Sequence, residues 1–207
     1  MSKKILVTGG TGFIGSHTVV ELYHAGYTPV IVDDLSNSSI KILDQIEKII
    51  NYKPEFHEFD LCDEAKTKAF LAKNPDISGI IHFAAFKAVG ESVQKPLEYY
   101  RNNFFSLINL LTAYKENPIN FVFSSSCTVY GQPDFLPVTE EAPIKKAESP
   151  YGNTKQIAEE ILSETASVNK NYNIVALRYF NPVGAHDSAL IGELPLGVPQ
   201  NLVPFIT

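Results

Sequence analysis

Ile5-Leu6-Val7-Thr8-Gly9-Gly10-Thr11-Gly12-Phe13-Ile14-Gly15 is the stretch that decides the fold. Three apolar residues in a row, with no polar alternation, suit a parallel strand covered on both faces. The glycines follow at once, and Phe13 to His24 then reads as a helix closing near Gly26. Glycines at 9, 12 and 15, or at 10, 12 and 15, serve a tight turn in which backbone approaches a pyrophosphate. The phosphate charge then rests on the helix N-terminus. Further strands are expected over 30–32, 56–59, 77–83, 121–123 and 174–179, and further helices over 40–50, 66–71, 96–115 and 151–168. Residues 132–150 read as a Pro-rich loop. Strands alternating with helices at this spacing predict an α/β fold, a doubly wound parallel sheet of Rossmann type with helices on both faces.

Composition narrows the function classes. Among 207 residues, 17 are basic and 23 acidic, a formal charge of −6. Net acidity argues against nucleic acid, which demands a basic face. No apolar run approaches the ~18 residues of a membrane span, and the N-terminus is too short for a signal peptide core. Cys62 and Cys127 cannot form a disulfide framework, so a reducing, cytoplasmic setting is expected. No metal site is expected. Arg101 and Arg178 are the two arginines, too few to clamp a highly phosphorylated ligand.

Asp33 ends the second strand, 18 residues beyond Gly15. A carboxylate there accepts from both hydroxyls of an adenosine ribose and repels a 2′-phosphate, and Asp34 adds to that charge. NAD is therefore favoured over NADP. Asp60, at the end of the third strand, can accept from an adenine amino group. His82 lies within an apolar run and reads as a packed strand residue. Tyr151 and Lys155 are four apart, on one helix face. Ser149 is a plausible N-cap and Pro150 an N1 residue, which puts Tyr151 at the positive end of the dipole. The neighbouring ammonium, the helix terminus and an oxidised nicotinamide would all pull the phenol below its ordinary value of about 10, toward a base for neutral pH. Ser126, ending another strand, can supply a hydroxyl to the same substrate oxygen. Serine, tyrosine and lysine beside a dinucleotide form a hydride-transfer constellation.

Several longer motifs carry a resemblance. Gly9–Gly15, Lys87–Ser92, Pro96–Tyr100, Ser124–Gly131, Ser149–Gly152 and Arg178–His186 together resemble the UDP-glucose 4-epimerase family, within the extended short-chain dehydrogenases/reductases. The resemblance covers essentially the whole chain. It implies interconversion of UDP-glucose and UDP-galactose, in galactose metabolism, by transient oxidation at sugar C4 with tightly bound NAD. It implies Tyr151 as base, with Lys155 lowering its pKa and Ser126 sharing the proton path. By the same resemblance Gly9, Gly12, Phe13, Ile14, Gly15, Asp33, Asp34, Leu35, Ser36, Asn37, Ser38, Asp60, Leu61, Phe83, Ala84, Ala85, Phe86, Lys87, Asn102, Ser124, Tyr151, Lys155 and Phe180 contact NAD. Lys87, Ser126, Tyr151, Asn181 and Asn201 would contact the UDP-sugar. A homodimer is implied for the full-length protein.

The departures also carry information. Residues 1–180 read as the NAD-binding domain with the catalytic Ser/Tyr/Lys, and 181–207 as the start of a substrate-binding region. Prolines at 182, 195, 199 and 204 break that tail into loops, and the chain stops without a helix stop signal. The family's chains are much longer, so a truncated substrate domain is expected, and residues 1–207 alone would bind NAD weakly without turnover. Asp34 stands where many relatives carry Asn, and Ala85-Phe86 where they often carry Gly-Leu. Cys127 stands for a common Ala and reads as packing rather than as a nucleophile. A nucleotide-sugar 4,6-dehydratase would need Asp-Glu at Cys127 and Thr128, and neither residue can protonate a leaving hydroxyl. A non-catalytic NAD sensor would have no reason to keep Ser126, Tyr151 and Lys155 together.

Overall fold

The computed structural model describes residues 2–114 and 118–194. Six strands, β1 (Lys4–Thr8), β2 (Thr28–Asp33), β3 (Glu55–Glu58), β4 (Ile77–His82), β5 (Ile119–Ser126) and β6 (Tyr172–Tyr179), form one sheet in the order β3-β2-β1-β4-β5-β6. Every pairing is parallel, with Leu6 between Val30 and Ile80. Parallel neighbours need crossovers, and six α-helices lie between or beside the strands: α1 (Phe13–His24), α2 (Lys41–Ile50), α3 (Glu64–Lys73), α4 (Val89–Gln94), α5 (Pro96–Ala113) and α6 (Pro150–Val168).

The unbroken apolar strands have the expected cause, since each face of the sheet has its own core. Leu6, Val30, Val32, Ile80, Phe121 and Phe123 pack with side chains of α3, α5 and α6. Val7 and Ile31 turn the other way, onto Val19 and Val20 of α1 and Ile42, Leu43, Ile46 and Ile50 of α2. Beyond β6 the chain returns to this second core, where Ile191 is 2% exposed. Coverage on that side is incomplete among the described residues, and Val175 and Leu177 of the edge strand β6 stand exposed. No helix among the described residues is long and apolar enough to cross a membrane.

Most elements fall where the sequence places them. Two short ones do not: α4 and a 3-10 turn over Cys127–Tyr130 were unforeseen. Six residues with a glycine in second place show no helical period. The 3-10 turn is held by a local bond from the Thr128 N–H to Ser126 Oγ, which hydrophobic patterning does not register.

The strand order reverses between β1 and β4, so the connections leaving these strands diverge and leave a crevice at their carboxyl ends. The glycine turn fills its base by backbone contact. Gly9 has φ +69°, and a Cβ there would meet Ala84 N at 2.8 Å. A Cβ on Gly15 would lie 2.1 Å from Gly9 O. Gly90, by contrast, has nothing within 4 Å of its Cβ position. Gly15→Ala is therefore expected to cost about 3 kcal/mol or more in urea unfolding. Gly90→Ala is expected to shift stability by no more than about 1 kcal/mol, toward stabilisation.

Candidate active site

Helix α1 begins at the crevice without a side-chain cap. Its N-cap is Gly12, no side chain among the described residues bonds the first-turn N–H groups, and the first turn holds no acid. Helices α3 and α6 differ: Asp63 Oδ1 accepts the Lys66 N–H at 3.0 Å, and Ser149 Oγ accepts the Gly152 N–H at 3.1 Å. A Cβ on Gly12 would meet only Gly9 O, at 3.2 Å. Free donors at the positive end of a dipole, in a cradle that side chains would fill, fit a diphosphate.

Asp33 closes β2 beside this turn. Its Oδ2 accepts the Thr11 N–H at 3.1 Å, and its Oδ1 accepts from the Leu35 N–H at 3.0 Å and the Ser38 hydroxyl at 3.2 Å. These bonds wrap residues 34–38 around the carboxylate, with Leu35 at φ +60° and Ser38 Oγ 2.7 Å from Thr11 Oγ1. Asp34 accepts from both the N–H and the hydroxyl of Ser36, and Asn37 is exposed. Asp60 is exposed just past β3 and accepts the Cys62 N–H at 2.8 Å, while Leu61 beside it is buried. Both cysteines are free. Burial, and then Asp60, push the Cys62 thiol up to about 12, so it is inert at neutral pH.

His82 is buried, 2.7 Å from Thr8 Oγ1 through Nδ1, and stacked near Phe123, as a packed strand residue should be. Burial first, and then Lys155, push its pKa down to about 3, so the ring is neutral. Phe83–Lys87 follow it along the crevice. Lys87 Nζ reaches Glu193 Oε1 at 3.7 Å. Phe180 and Asn181 emerge exposed from the end of β6, and Asn201 lies outside the described residues.

The structure brings Ser126, Tyr151 and Lys155 together. Ser149 and Pro150 begin α6 as expected, which sets Tyr151 in its first turn. Lys155 is 4% exposed, and its Nζ donates to Ser124 O at 2.7 Å, lies 4.7 Å from the Phe123 ring centroid and 5.8 Å from that of Tyr151. Burial lowers the Lys155 pKa to about 8, against a raising influence from Glu159. The Tyr151 expectation is reversed. Its phenol is held above the ordinary value, because burial outweighs the hydrogen bond with Ser126, and Cys127 adds to the rise. The Lys155 amine is committed to the Ser124 carbonyl and approaches the tyrosine ring rather than correcting that balance.

Two supports were not anticipated. Asn103, 6% exposed on α5, accepts the Phe86 N–H at 2.9 Å and donates to Phe86 O at 3.1 Å and Thr154 Oγ1 at 3.0 Å. It thus ties the loop after β4 to α6. Tyr99, 1% exposed, donates to Glu91 Oε2 at 2.8 Å and accepts the Ala88 N–H at 3.2 Å. A buried Asn at a helical apolar-face position was the available signal for the first. The second depends on α4, which the sequence pattern hides.

The NAD dependent epimerase/dehydratase family matches residues 5–194. The chain belongs to this family. UDP-glucose 4-epimerase of Haemophilus influenzae is 50% identical over 204 residues, covering 98% of this chain and 60% of the relative. The Bos taurus protein of that description is 45% identical, covering 100% and 61%. Among solved structures, the Bifidobacterium longum UDP-glucose 4-epimerase in complex with NAD+ and UDP is similar at TM-score 0.93 and 46% identity, covering 98% of this chain and 61% of that one. The chain thus spans about 60% of the length of the curated relatives it matches. Within an epimerase/dehydratase fold of this kind the buried lysine has a thermodynamic signature. Its folded pKa of about 8 lies below the ordinary lysine value of 10.5, so the unfolded chain binds more protons between those values, and stability rises with pH there. Relative to Lys155→Met, the native chain is expected to gain on the order of 3 kcal/mol between pH 8 and 10.5 in urea unfolding. A flat difference would contradict a buried ammonium.

Proposed function

We propose that this chain is the cofactor-binding and catalytic part of a UDP-glucose 4-epimerase. Such an enzyme interconverts UDP-glucose and UDP-galactose through a 4-keto sugar, and belongs to galactose metabolism in the cytoplasm. The observation that carries the reading is the convergence of Ser126, Tyr151 and Lys155 on a crevice whose floor is the uncapped start of α1. Family membership and the epimerase relatives support the same reading.

On this reading the α1 N–H groups take the NAD diphosphate, Asp33 accepts from the adenosine ribose, and Asp60 from the adenine. When bound, oxidised NAD supplies an acceptor for the C4 hydride and a positive charge beside the phenol. Tyr151 takes the proton from the sugar 4-hydroxyl, and Ser126 bonds the same oxygen and shares that proton's path. Lys155 holds the nicotinamide ribose. Lys87 and Asn181 contact the UDP-sugar, with residues 1–180 as the cofactor domain and 181–207 as the start of the substrate region. The remaining clamp for UDP belongs to the length of the relatives that this chain does not span. Exposed Leu97, Phe105 and Ile108 on α5 support a homodimer paired through that helix.

Two measurements test the reading. Tyr151→Phe in the full-length protein is expected to lower UDP-galactose conversion at least about 1,000-fold with NAD still bound, since only the proton acceptor is lost. Full activity in that variant would remove Tyr151 from its role. Asp33→Ala is expected to reduce the NAD-over-NADP affinity ratio by about tenfold or more in titration calorimetry. An unchanged ratio would mean that the ribose is held elsewhere.

A further inference from the structure

Lys155 belongs to a longer stripe. Tyr151, Lys155 and Glu159 recur every four residues, so they share one face of α6, and that face runs along the end of β5. The Ser126 hydroxyl bonds Tyr151, the Ser124 carbonyl accepts Lys155 Nζ, and the Ser125 hydroxyl donates to Glu159 Oε1 at 2.5 Å. Each residue of the Ser124–Ser126 run thus answers one member of the stripe. Glu159 is fixed from the far side as well. Arg178, on β6 in register with Ser125, reaches it by a fork, Nε to Oε1 at 3.0 Å and Nη2 to Oε2 at 2.7 Å. The guanidinium in turn lies 4.7 Å from the Tyr130 ring centroid.

We propose that Glu159 is a positioning residue that, pinned by Arg178 and Ser125, keeps the Lys155 amine an ammonium seated under the end of β5. The proposal deepens the reading of Lys155 given above and rests on it. A buried amine holds its proton less tightly unless an anion faces it. From β4, neutral His82 faces Lys155; from β5, the uncharged Phe123 ring and the Ser124 carbonyl; from α6, the protonated Tyr151 and Glu159. Among these described residues, Glu159 is the anion. Its two-sided anchorage takes a partly buried, forked ion pair that packing alone would not require. An uncharged side chain of similar size would fill the same space.

The test is the titration of Lys155, read by NMR from the Cε of labelled lysines and assigned by the signal lost in Lys155→Met. Glu159→Gln keeps the shape and an acceptor for Ser125 but removes the charge. The double variant Glu159→Gln with Arg178→Gln leaves no orphaned guanidinium, so it carries the test if the single variant does not fold. The Lys155 midpoint is expected to fall by about half a unit or more in both. A midpoint unchanged in Glu159→Gln, or restored in the double variant together with stability, would make Glu159 a structural tie only and overturn the proposal. Because the titration needs no substrate, failure of the chain to serve an epimerase would leave this result standing by itself.

Discussion

The approach of backbone to backbone at residues 9–15 is the constraint on which the rest of the molecule depends. Gly15 lies against the carbonyl of Gly9, and Gly9 against the amide of Ala84, with no room at either position for even a methyl group. This contact sets the first helix directly on the end of the central strand. It also brings the end of β4 alongside, where the Phe83 N–H donates to Thr8 O and the Ala84 N–H to Thr8 Oγ1. Two divergent crossovers are thus joined at their common root, and the crevice between them has a rigid floor.

On that floor stands a site built by burial as much as by charge. Lys155 has left water almost completely, and its compensation comes from a carbonyl, an aromatic face and a carboxylate one turn away. Tyr151 is drawn partly into the same environment, which favours the neutral phenol. Geometry and protonation are therefore coupled through one helix face. What displaces α6 from β5 alters both.

Much of this was legible in the sequence because it is local. The glycine spacing, the strand-ending Asp33, and the Ser149-Pro150 start of α6 are short-range signals with a direct physical meaning, and the unbroken apolar strands announce a sheet covered on both sides. The parts that were not legible depend on distance in the chain. Asn103 acquires its meaning only from Phe86 and Thr154, and Glu159 only from Arg178 and Ser125. The direction of the Tyr151 shift failed for the same reason. Neighbouring charges can be counted along a helix, whereas the exclusion of water is a property of the assembled fold. Helix α4 escaped because six residues are too few to display a period.

The bare start of α1 has a bearing on how robust the protein is in use. A helix that finishes its own first turn with a serine or aspartate draws that part of its stability from its own sequence. Here the corresponding donors are left for an anion from solution, so this increment of stability is linked by mass action to whatever occupies the crevice. The melting temperature thereby becomes a gauge of how full the crevice is.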